Sequence, residues 1–113
     1  MTEEYMTNIC ADAVDYYGAG NQILKAIEEL GELQSALARA LARAVARTSA
    51  AISACARDDI LHALPADTNV MEEAADVQIM LIQLALMFDA EQFYGWIKKK
   101  LDRLESRRNE GAP

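Results

Sequence analysis

Glu29 and Glu32 stand three residues apart, and so do Glu73 and Asp76. On an α-helix that spacing puts both carboxylates of a pair on one face, about one turn apart. The second pair lies in a segment that is apolar nearly all round. Val70, Ala74, Val77, Leu81, Leu84 and Phe88 form one stripe, and Ala75, Ile79, Ile82 and Leu86 form the opposite one. A helix of that kind is normally buried, and a buried carboxylate must neutralise, pair or bind a cation. Few bases lie nearby in sequence. Glu29, Glu32, Glu73 and Asp76, converging from two helices, are therefore the expected ligands of a hard divalent metal.

The elements that carry these pairs read as helices. No stretch alternates between apolar and polar residues, Pro occurs only twice, and Gly is sparse, so the expected fold is all-α. A first helix is expected over roughly 3–17, with Met6, Ile9, Cys10, Ala13, Val14 and Tyr17 at helical spacing and Gly18-Ala19-Gly20 ending it. Asn21 is a fair N-cap for the second helix. Its expected inner stripe is Ile23, Ile27, Leu30, Leu37 and Leu41, with Glu28, Glu29 and Glu32 off that stripe. The Ala-rich stretch with Arg39, Arg43 and Arg47 should prolong this helix to about Arg47 or further, until Thr48-Ser49 can break it. Turn signals at 57–69 indicate a loop with a short helix inside. Thr68 or Asn69 then caps a third helix that runs to about Phe88. A fourth covers roughly 90–108, with Phe93, Ile97, Leu101 and Leu104 inward and Lys98, Lys99, Arg103, Arg107 and Arg108 outward. The tail from Asn109 should fray.

Bulk properties narrow the class. At 113 residues with 52% hydrophobic content, one domain with a single core is expected. The formal charge of −7 argues against a binder of nucleic-acid polymers. Residues 1–32 carry seven acids and one base, and residues 71–91 carry five acids and no base. Residues 92–113 reverse the sign, with six bases and three acids. An acidic site that must also hold a polyanion would use that division. Cys10 and Cys55 form no metal-finger pattern, no secretory signal stands out, and segment 77–88 is too short to span a bilayer. The expected setting is a reducing cytoplasm, away from membranes.

In order and surroundings these motifs resemble the MazG-like nucleoside triphosphate pyrophosphohydrolases of the all-α NTP pyrophosphatase superfamily. The hallmark there is Glu-Glu-x-x-Glu followed by Glu-x-x-Asp on the next core helix. Here the first is Glu28-Glu29-Leu30-Gly31-Glu32, preceded by Tyr17-Gly18, Asn21-Gln22 and Lys25, and the second is Glu73-Ala74-Ala75-Asp76. Lys100-Leu101-Asp102-Arg103-Leu104 looks like the family's basic signature in the last helix. The resemblance covers about residues 5–37 and 69–108, within a helical domain of 1–108, and an Ala/Arg-rich insertion at about 38–68 departs from it.

That resemblance implies hydrolysis of a nucleoside triphosphate to monophosphate and pyrophosphate, with Mg²⁺ (or Mn²⁺) on Glu29, Glu32, Glu73 and Asp76. Glu28 or Glu32 would orient the attacking water. Asn21 and Gln22 would contact sugar or base, and Lys25, Lys100 and Arg103 would contact phosphates. Each has a plain structural alternative. Asn21 serves as a cap, Lys25 forms an intrahelical pair with Glu28 or Glu29, and the bases of the final helix complement its dipole. Phe93, Tyr94, Trp96, Tyr16 and Tyr17 read as packing residues before stacking platforms, His62 as an ordinary loop residue, and Met71, Met80 and Met87 as core fillers. Two other functions compete: a phosphoribosyl-ATP pyrophosphatase-like enzyme, and a non-catalytic helical module working through protein contacts. Because the third helix is apolar on two faces, a homodimer or a dimer of dimers is expected to complete the four-to-five-helix bundle.

Overall fold

A computed structural model describes residues 1–47 and 68–111. Among them the chain is all-helical, with four helices and no strand. The first, α1 (Glu3–Tyr17), is opened by Thr2, whose hydroxyl accepts a hydrogen bond from the Tyr5 amide at 3.1 Å. Glu3 and Glu4 in its first turn complement the helix dipole. Gly18 closes it at φ 90°, donating its amide to the Val14 carbonyl at 2.9 Å. That positive φ is one that side chains rarely adopt.

One glycine therefore suffices to turn the chain, and α2 (Ala19–Arg47) begins at once. This corrects the expected cap: Asn21 already lies inside the first turn of α2. The third helix, α3, spans Thr68–Met87, and the fourth, α4, spans Ala90–Asn109. Asp89 caps α4, its carboxylate accepting from the Gln92 amide at 3.0 Å. Arg107 and Arg108 in the last turn face the negative end of the dipole. Helix α4 extends through Asn109. The Thr48-Ser49 break, the short helix expected within 57–69, His62 and Cys55 lie outside the described residues, as does all of the insertion beyond Arg47 up to Asp67.

The chain divides into two compact units, one of Met1–Ala19 with Ile82–Pro113 and one of Gly20–Leu81. In the second unit α2 buries Gln22, Ala26, Glu29, Ala36, Ala40 and Ala44, the last with no exposed surface. These positions recur at steps of three, four or seven residues, so they form one face. From α3, Val77 and Met80 are buried. The face that α2 turns inward is thus not the expected one, because Ile27, Leu30, Leu37 and Leu41 are 46–62% exposed. The buried face is instead the one of small side chains, together with Gln22 and Glu29.

Within the other unit Cys10 is the buried residue of α1, and Gln83 and Ala85 are buried on the last turns of α3. Burial pushes the Cys10 thiol above its ordinary range. Helix α4 buries no residue. Phe93 is half-buried, but Ile97, Leu101 and Leu104, expected inward, are exposed. The apolar row exists, yet one copy of the described chain does not cover it. Phe88, expected in the α3 stripe, falls in the bend after that helix and is exposed. No described helix is long and apolar enough to cross a membrane.

Candidate functional site

The acids of the second unit meet across two helices. Glu29 and Glu32 project from α2 and Glu73 from α3, and one carboxylate oxygen of each lies within 4.8 Å of the others. Helical spacing accounts for the α2 contribution, since residues three apart share a face. The small side chains at Ala26 and Ala36, on the buried face that also carries Glu29, keep that helix face flat. Glu29 is only 6% exposed, Glu73 is half-buried, and Glu32 reaches solvent. The group therefore has a buried floor and an open side.

Two oxygens at the floor lack partners. Glu29 Oε2 and Glu73 Oε2 are buried and accept no hydrogen bond. An unpartnered buried carboxylate oxygen forfeits its hydration without return, so a ligand that satisfies it is the physical expectation. The donor set is all oxygen and anionic, which suits Mg²⁺, Mn²⁺ or Ca²⁺ and not a soft metal. Oxygens on opposite sides of a six-coordinate hard cation lie about 4–5 Å apart. The observed span is compatible with that. The residues present fit the group.

Electrostatics agree with the packing. The charge of Glu29, then loss of hydration, then the charge of Glu73 and hydrogen bonding with both carboxyls raise the Glu32 pKa above the ordinary glutamate value. Like charges this close resist joint ionisation. Lys25 answers part of the excess. Its Nζ lies 3.0 Å from Glu29 Oε1 and 3.7 Å from Glu28 Oε2. The hydrogen bond to Glu29 and the charges of Glu28 and Glu29 raise the Lys25 pKa.

Comparison with known protein families, curated proteins and solved structures finds no match. The site must be read from its own geometry.

Of the four expected ligands, Glu29, Glu32 and Glu73 come together. Asp76, half-buried one turn along α3, is not part of that group. Glu28 is exposed and turned to Lys25. Gln22 is buried and Asn21 exposed, both on α2 before the acids, and each is engaged in an interaction of its own. Lys100 and Arg103 lie exposed on α4, in the other unit. On that helix Lys98 pairs with Asp102 at 3.1 Å. Lys99 Nζ sits 5.0 Å from the Trp96 ring centroid, occupying a face a base would need. Sequence reasoning passed over Gln83, a buried amide on α3. Its signal was available: Glu73, Asp76, Met80 and Gln83 follow one another at three- or four-residue steps along a single face.

Proposed function

We propose that this chain is a Mg²⁺-dependent, MazG-like nucleotide pyrophosphohydrolase that cleaves a nucleoside triphosphate to the monophosphate and pyrophosphate. The observation that carries the reading is the pair of orphaned buried oxygens, Glu29 Oε2 and Glu73 Oε2, brought together with Glu32 from two helices. Glu29, Glu32 and Glu73 would hold the cation, with Asp76 joining from the next turn of α3. The bound ion, Mg²⁺ or Mn²⁺, supplies charge neutralisation for the triphosphate oxygens.

The side chains divide the remaining work. Glu32, open to solvent at the edge of the group, or the exposed Glu28 beside it would orient the attacking water. Lys25 offers positive charge to phosphates, and Asn21 and Gln22 offer amides to sugar or base. Exposed Ile27, Leu30, Leu37 and Leu41 on α2, with Met71, Ile79 and Leu86 on α3, are the apolar rows a homodimer would bury.

The test is incubation of the protein with a panel of NTPs and dNTPs plus Mg²⁺, reading pyrophosphate release. Turnover that falls at least 100-fold in Glu73→Gln is the expected result. Turnover of no nucleotide with any divalent metal overturns the reading, and turnover untouched in both Glu73→Gln and Asp76→Asn places the chemistry elsewhere.

A further inference from the structure

Lys25 pairs with its acids in the order that favours a helix less. On a helix, an acid that precedes a lysine by four residues is the favourable order, and the reverse order is the weaker one. Here the lysine comes first, at i, with Glu28 at i+3 and Glu29 at i+4. Its ammonium nonetheless lies 3.0 Å from the most buried carboxylate of the site and 3.7 Å from an exposed one. The two perches differ in kind. The Glu29 side chain is 8% exposed and the Glu28 side chain 58% exposed, and Lys25 itself is half in solvent, within reach of both. Glu29 thus has one oxygen held by Lys25 and the other held by nothing.

We infer that Lys25 is a tethered counter-ion that competes with the metal for Glu29, and that Glu28 is the outer perch to which it moves when a cation occupies the site. This rests on the reading of Glu29, Glu32 and Glu73 as a metal site. A cation at Glu29 repels the ammonium, and Glu28 keeps it within one helical turn instead of losing it to solvent. Lys25 then stands at the rim with its charge turned toward the open side, where a phosphate would approach. Glu28 acts through Lys25 and is a positioning residue, not a ligand. Among the described residues, the charged groups that act on Lys25 are Glu28, Glu29 and Glu32, all on its own helix.

The experiment measures Mn²⁺ binding to the full chain without nucleotide, by calorimetry or by the electron paramagnetic resonance signal of free Mn²⁺. Wild type, Lys25→Met, Glu28→Gln and the double variant are compared. Lys25→Met is expected to bind Mn²⁺ more tightly, by about three- to tenfold, the scale of one partly exposed ion pair removed. Glu28→Gln is expected to weaken binding in the wild-type background and to have a clearly smaller effect in the Lys25→Met background, since without the lysine there is nothing to perch. Equal penalties in both backgrounds reduce Glu28 to a bystander charge and overturn the inference. Unchanged or weaker binding in Lys25→Met overturns it too, while leaving the metal reading intact. Failure of the wild-type chain to bind Mn²⁺ at all overturns that underlying reading first.

Discussion

Glu29→Gln separates what the buried carboxylate costs the fold from what it gives a cation. Glu29 is 6% exposed and its Oε2 accepts no hydrogen bond. A buried acceptor without a partner costs about 1–3 kcal/mol, and more when it is charged. Glutamine keeps the shape, removes the charge and offers amide hydrogens to the neighbouring carboxylates. Against this stands the lost attraction of Lys25, which solvent screens because that ammonium is half-exposed. The balance is a stabilisation of about 1 kcal/mol in metal-free buffer, or a rise in Tm of roughly 4 °C for a chain of this size. Divalent metal reverses the order. At 100 times its Kd, a ligand that binds only the folded state adds about 2.7 kcal/mol, near 10 °C here. Wild type should gain that shift and Glu29→Gln should gain little. Thermal melts of both proteins in EDTA and in millimolar Mn²⁺ should therefore cross. If Glu29→Gln melts lower than wild type in EDTA and both shift equally with Mn²⁺, the carboxylate is neither strained nor a ligand.

Three further outcomes follow from the same geometry. Glu32 binds its proton more tightly in the folded chain than an ordinary glutamate, so its contribution to stability is complete below the ordinary glutamate range and is lost as pH rises through the raised value. Melts in metal-free buffer should show stability declining as pH rises out of the ordinary glutamate range, with the slope abolished in Glu32→Gln; a slope identical in that variant would reject the assignment. Asp89→Ala, which removes the cap of α4, should cost about 1 kcal/mol in urea unfolding, and no change would mean the cap bond at 3.0 Å contributes nothing in solution. Sedimentation should find more than one copy in the wild-type particle and a monomer in the Leu37→Glu, Leu41→Glu double variant, because both leucines stand about half exposed in the single chain; a monomeric wild type would remove the dimer from the proposal.

Much of this was legible in the residues. The bounds of α1 and α4 fell where the glycines and the apolar spacing put them, and Glu29 and Glu32 meet Glu73 from the next helix, with Asp76 outside the group. What failed was the choice of inward face on α2. Periodicity ranks rows by hydrophobicity, so it selected Ile27, Leu30, Leu37 and Leu41; the buried row instead holds Ala36, Ala40 and Ala44, whose small side chains add little to such a ranking. The same ranking sent Ile97, Leu101 and Leu104 inward on α4, although a single chain leaves them exposed. Sequence pattern cannot distinguish a row that packs within a chain from one left at its surface. Asn21 was misplaced for a smaller reason: a residue at φ 90° completes the turn alone, and nothing in the residue types says that one glycine will suffice.

The alanine row of α2 carries a consequence for how this protein tolerates change. Residues 36–47 look like low-complexity filler, a handful of residue types repeated. Yet Ala36, Ala40 and Ala44 are the positions with least room, and alanine is already the smallest side chain that keeps a helix well formed. Enlarging any of them overfills a packed surface, and glycine loosens the backbone. The intervening exposed arginines, Arg39 and Arg43, face no such constraint. In a library of single substitutions this stretch should therefore show tolerance that rises and falls with a period near four. Its plainest residues would be the hardest to replace.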